Sequence, residues 1–195
     1  MKKKLMGLAF VGAFLAASLG VFGFVKAETT SEDITPNLNV VRSIEDKDQV
    51  NMYKAVIDEK GYQNITLNFD ASKKDEVNNG WTLKVYDENK EELYQVSGIK
   101  AQFTSANFAF AKGKTVYISV ESGIKSSMFM PKGVEYNLNF HTYADSDYET
   151  ENNNKYIDAN EIPTGGAVKG SLLNKDDEDY FVYQLSLIHI SEPTR

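Results

Sequence analysis

At 195 residues with no cysteine and 12% aromatic residues, the chain is long enough for one full core and part of another, and disulfides contribute nothing to its stability. Between Glu28 and Gln184, sixteen basic residues face twenty-seven acidic ones, a net charge of −11. That balance argues against nucleic acid or an anionic membrane as partner and fits a surface that stays soluble or holds cations.

Both ends read as something other than folded domain. Lys2, Lys3 and Lys4 precede an apolar run from Leu5 to Val25, and Val25-Lys26-Ala27 follows. This order of basic, apolar and small residues predicts a secretory signal over 1–27, cleaved after Ala27. An uncleaved membrane anchor is the competing reading, because the run approaches the roughly 20 residues that span a bilayer. At the other end, Leu185–Arg195 is the in-frame translation of a common transposase sequencing adapter, which predicts that the natural chain departs from this sequence after Gln184. A genuine strand with a polar tail is the alternative there.

From residue 28 a short linker is expected to 36, and then period-two alternation begins, the mark of half-buried strands. Ile65, Leu67 and Phe69 share one face, as do Trp81, Leu83 and Val85, then Val116, Ile118 and Val120, then Tyr136, Leu138 and Phe140. Turn residues punctuate the runs at Glu59-Lys60-Gly61, Asn78-Asn79-Gly80, Asp87-Glu88-Asn89, Lys112-Gly113 and Pro131-Lys132-Gly133. About eight such strands over 37–143 predict an all-β domain, an antiparallel β-sandwich or jelly roll.

The chain also resembles itself. A shift of 128 residues lays Ser43–Tyr53 over Ser171–Phe181, with Ile34 on Ile162 and Val40 on Val168. The shared order is a strand, an acidic turn and an aromatic opening the next strand, which predicts a tandem repeat whose second copy begins within 144–184. Tyr143–Lys155, rich in Asp, Glu and Asn, reads as the linker between copies.

Glu149-Thr150-Glu151-Asn152-Asn153-Asn154, then Gly170-Ser171-Leu172, then Asp176-Asp177-Glu178-Asp179-Tyr180-Phe181 resemble the bacterial pre-peptidase C-terminal domain family. That family includes the collagen-binding domains of clostridial collagenases. Glu149, Glu151 and Asn153 match its acidic E-x-E-x-N opening, and Asp177, Asp179 and Tyr180 match its D-x-D-Y-[FY] turn. Trp81–Asn89, Gly113–Val120 and Met130–Phe140 resemble its later strands. The resemblance covers about 150 residues, more weakly in the first copy. It implies a β-sandwich appended to a secreted enzyme or strung in tandem, with calcium held in some members by the acidic opening and the turn.

The residue chemistry is compatible with that implication. Calcium takes six to eight oxygens, and in an extended segment Glu149, Glu151 and Asn153 point the same way, with Asp176, Asp177 and Asp179 on a turn able to close the other side. Solvated linker and turn acids are the plain alternative. In the first copy, Asp48 and Asn51 stand where Asp176 and Asp179 do, but Glu28–Asp33 breaks the opening pattern, so no site is expected there.

Catalytic motifs are missing from the sequence: there is no G-x-S-x-G elbow, no H-E-x-x-H and no cysteine, and His141 is the sole histidine between the two ends. The expectation is a secreted, non-catalytic binding or accessory module. Tyr117, Phe129 and Tyr136 lie on or near strands resembling the collagen-binding face and are the candidate ligand-binding residues, for a collagen-like protein or a carbohydrate. Core packing accounts for such aromatics equally well, and a spacer or folding-assistance domain of a secreted peptidase is the alternative function.

Overall fold

Alternation along β-branched and aromatic runs gives each strand one apolar face, and two such faces must be buried against each other. The computed structural model describes residues 30–173 and 176–185. The expected signal at 1–27 lies outside the described residues, as does the 185–195 segment apart from Leu185. Nine strands build the sandwich in chain order: β1 (Ser31–Asp33), β2 (Asn39–Arg42), β3 (Val50–Val56), β4 (Gly61–Phe69), β5 (Trp81–Tyr86), β6 (Glu92–Ile99), β7 (Phe103–Thr104), β8 (Thr115–Ser122) and β9 (Tyr136–Ala144). A 3-10 turn over Ala71–Glu76 separates β4 from β5.

They form a five-stranded sheet in the order β1-β3-β8-β5-β6 and a four-stranded sheet in the order β2-β9-β4-β7. All pairings are antiparallel except β1 with β3. The chain is therefore an all-β sandwich. Residues 28–36, read from sequence as a linker, contribute β1, which joins the sheet through a three-residue parallel ladder too short to show alternation.

The core lies between the sheets. Ile65 and Leu67 of β4 and Leu138 and Phe140 of β9 meet Leu83 and Val85 of β5 and Val116, Ile118 and Val120 of β8, all buried. Each such side chain contributes roughly 1.5–3 kcal/mol by leaving water. Trp81 packs edge-on against Tyr136 at 5.9 Å, and the Tyr53 and Tyr136 hydroxyls, one from each sheet, are 2.6 Å apart. Burial pushes both phenol pKa values up.

After β9 the chain does not leave the sandwich. Gly61 opens β4 with φ of +147°, and a Cβ there would lie 1.9 Å from Tyr143 O and 2.6 Å from Asp145 N. Only glycine lets the end of β9 approach so closely. Tyr62 then stacks on Tyr143 at 4.7 Å and meets Tyr148, tilted, at 4.9 Å. A short parallel pair, β10 (Asn160–Ile162) with β11 (Phe181–Tyr183), ends the described chain.

Candidate metal centre

The acidic segment that sequence reads as a linker is held at both edges by backbone bonds. Glu149 N–H donates to Lys169 O and Glu151 N–H to Ala109 O, each at 2.8 Å. Asn160 closes a side-chain loop with both backbone groups of Thr150 at 3.0 Å. The result is burial where the plain alternative was solvation: Glu149 is 1% exposed and Asn153 0%.

Burial brings the carboxylates together. Single oxygens of Glu149, Glu151 and Asp179 lie within 4.8 Å of one another. The Ser171 N–H donates to Glu149 Oε1 at 2.6 Å, and the Asn153 amide donates to Glu149 Oε2 at 3.3 Å. Asp177 stands at the edge, its Oδ2 accepting from Leu173 N–H at 2.6 Å. Glu151 Oε1, Asn153 Oδ1 and Asp179 Oδ1 are buried and accept no hydrogen bond from protein. Asp176 is exposed and stands outside the group of three.

The electrostatics follow. Burial, with Asp177 next in weight, pushes the Glu151 pKa up to about 7. Glu149 and Asp179 are also raised, each chiefly by burial. Two carboxylates at such separations repel by on the order of 3 kcal/mol at an effective dielectric near 20. Three carboxylates and an amide oxygen, with no His or Cys among them, form the donor set of a hard, oxygen-preferring cation. An ion bonded at about 2.3–2.6 Å sits nearer these oxygens than hydrogen-bonded water would.

Gly170 makes the approach possible. A Cβ there would lie 2.6 Å from Glu149 Oε2 and 2.9 Å from Oε1, so any other residue displaces the carboxylate. Sequence reasoning named Gly170 as part of a motif without this steric role. It also missed the cleft of about 340 Å³ between the Asp87–Glu91 turn and the junction, which Glu151 and Asp177 both line.

The chain matches no protein-family model and no curated protein sequence. Among solved structures it is similar to the pre-peptidase C-terminal domain of a collagenase from Bacillus anthracis, at 16% identity and a TM-score of 0.42 over 57% of this chain and 94% of that one. It is also similar to PliG, a periplasmic inhibitor of g-type lysozyme from Aeromonas hydrophila, at 12% identity and a TM-score of 0.31 over 57% of this chain and 100% of that one. Likeness at this level says nothing of ligand or activity, and the sandwich assignment stands on the sheets themselves.

The three aromatic candidates are placed apart. Tyr136 is 0% exposed, its hydroxyl shared with Tyr53 and with the Asn51 amide at 2.7 Å. It is a core residue and presents nothing to a ligand, because its alternation with Leu138 and Phe140 faces inward. Phe129 is 48% exposed in the turn between β8 and β9. Tyr117, half-buried, lies opposite Tyr86 across the β5–β8 ladder, with Lys90 Nζ 5.4 Å from its ring centre. His141 Nε2 lies 3.1 Å from Thr66 Oγ1, and its ring stacks on Tyr143.

Proposed function

We propose that this chain is a non-catalytic accessory module of an exported protein, and that its junction segment binds calcium through Glu149, Glu151, Asn153 and Asp179 with Asp177 at the margin. The observation that carries this reading is the set of three buried oxygens without a donor, on Glu151, Asn153 and Asp179, beside mutually close carboxylates. Buried acceptors are expensive to leave unpaired, and a cation satisfies all of them at once. Export is supported by the signal pattern at 1–27. Among the described residues no helix is long and apolar enough to cross a membrane.

Isothermal titration with calcium tests the site. One ion per chain is expected for the native sequence and none for Glu151→Gln; absence of binding by the native chain rejects the reading.

A polymer-binding role has one specific support. Tyr117 and Tyr86 stand opposite each other on adjacent strands, on the face away from Val116, Ile118 and Val120, with Lys90 over the Tyr117 ring, a surface suited to an extended chain whose apolar faces stack on rings. Co-sedimentation with insoluble collagen and with insoluble polysaccharides is expected to fall on Tyr117→Ala. Retention by neither material leaves the spacer role.

A further inference from the structure

The segment after β9 repeats connections of the first sandwich. In the parallel β1–β3 pair, Glu32 stands opposite Tyr53 and Asp33 opposite Lys54. In the parallel β10–β11 pair, Asn160 stands opposite Phe181 and Glu161 opposite Val182. Each of these residues lies 128 positions after its counterpart, the shift that lays Ser43–Tyr53 over Ser171–Phe181. A turn contact recurs at the same shift. Glu45 N–H donates to Gln49 Oε1 at 2.8 Å, and Leu173 N–H donates to Asp177 Oδ2 at 2.6 Å.

What differs is the chemistry that closes the turn. In the first copy, Gln49 Nε2 donates to Asn51 Oδ1 at 2.8 Å and to Ser43 O at 3.2 Å. Asn51 Nδ2 donates to Ser43 O at 3.0 Å and to the Tyr136 hydroxyl at 2.7 Å. An amide brings its own donors, whereas an ionised carboxylate only accepts. Asp177 and Asp179 occupy the positions equivalent to Gln49 and Asn51, and Asp179 Oδ1 is buried without a donor. The later copy adds Glu149 and Glu151 to the same place. In the first copy Glu28–Asp33 breaks that acidic pattern.

We infer that the two turns are the same device in two forms: the Gln49–Asn51 amide pair closes the first without an ion, and a cation closes the second where aspartates replace those amides. The chain then joins a metal-independent unit to a metal-dependent joint. This rests on the cation reading above and deepens it, because it assigns Gln49 and Asn51 the role that the ion has at the junction.

Transplanting the amide pair tests it. In the native chain, amide hydrogen exchange over 149–153 and 177–183 is expected to be about tenfold or more slower in calcium than in chelator. In Asp177→Gln with Asp179→Asn, exchange is expected to be slow in both conditions and indifferent to calcium. If the native chain takes up calcium by calorimetry while the variant in chelator exchanges as fast as the native chain in chelator, the equivalence is wrong and the cation reading stands. If the native chain takes up no calcium, both fall. The reciprocal variant, Gln49→Asp with Asn51→Asp, covers a failure of the first to fold. Its melting temperature is expected to drop and to stay low in calcium, since Glu32, which lines the cavity beside Asn51, is paired with Arg42. Native stability in that variant overturns the inference.

Discussion

Buried with its Oε1 lacking a donor and with Asp177 nearby, Glu151 holds a proton to about pH 7 in the ion-free chain. The sign of its contribution follows. In the unfolded chain the same group ionises near the ordinary glutamate value, so the folded state binds more protons between about pH 4.5 and about pH 7, and stability falls as pH rises across that window. His141, whose pKa burial lowers, contributes the opposite slope. The informative quantity is therefore a difference: Glu151→Gln is expected to melt progressively above the native chain from pH 5 to pH 7.5 in chelator, read by circular dichroism. Gly170→Ala pushes a methyl onto the Glu149 carboxylate, and calorimetry is expected to show calcium uptake weakened at least tenfold, with the sandwich melting unchanged. At this scale the sequence was partly informative. Alternation placed Glu149, Glu151 and Asn153 on one side of the chain. Their burial was hidden, because it depends on Ala109 O and Lys169 O pairing with the segment from distant positions.

Strands carry their own evidence when they are long and packed on one face. The inward sets on β4, β5, β8 and β9 were readable from period two, and Ile65, Leu83, Ile118 and Leu138 are all 0% exposed. β1, β7 and β10 were not readable, because two or three residues cannot display a period and their pairing is decided by neighbours. Leu67→Ala opens a cavity between the sheets and is expected to cost about 2–5 kcal/mol. Tyr136→Phe probes a different term. It leaves the Tyr53 hydroxyl and the Asn51 amide each short of a partner, with an expected loss of about 1–3 kcal/mol. Both are measured as a shift in denaturation midpoint at unchanged slope. Removing Tyr136 from the ligand-binding candidates is a consequence of the same hydroxyl pair: an inward tyrosine needs a polar partner, and a sequence pattern does not name one across 83 residues.

The whole molecule couples a sandwich to a junction through the ring contacts of Tyr62 with Tyr143 and Tyr148 and the backbone bonds of Glu149 and Glu151. An ion at the junction stabilises the folded chain by mass action, roughly 2.7 kcal/mol at a hundredfold excess over its dissociation constant. For a domain of this size that corresponds to about 5–10 °C. The decisive measurement is the melting temperature of the native chain in chelator and in saturating calcium at pH 7.5. A rise of that order, absent in Glu151→Gln, is the predicted result; identical melting temperatures in the two conditions contradict a cation centre at this junction.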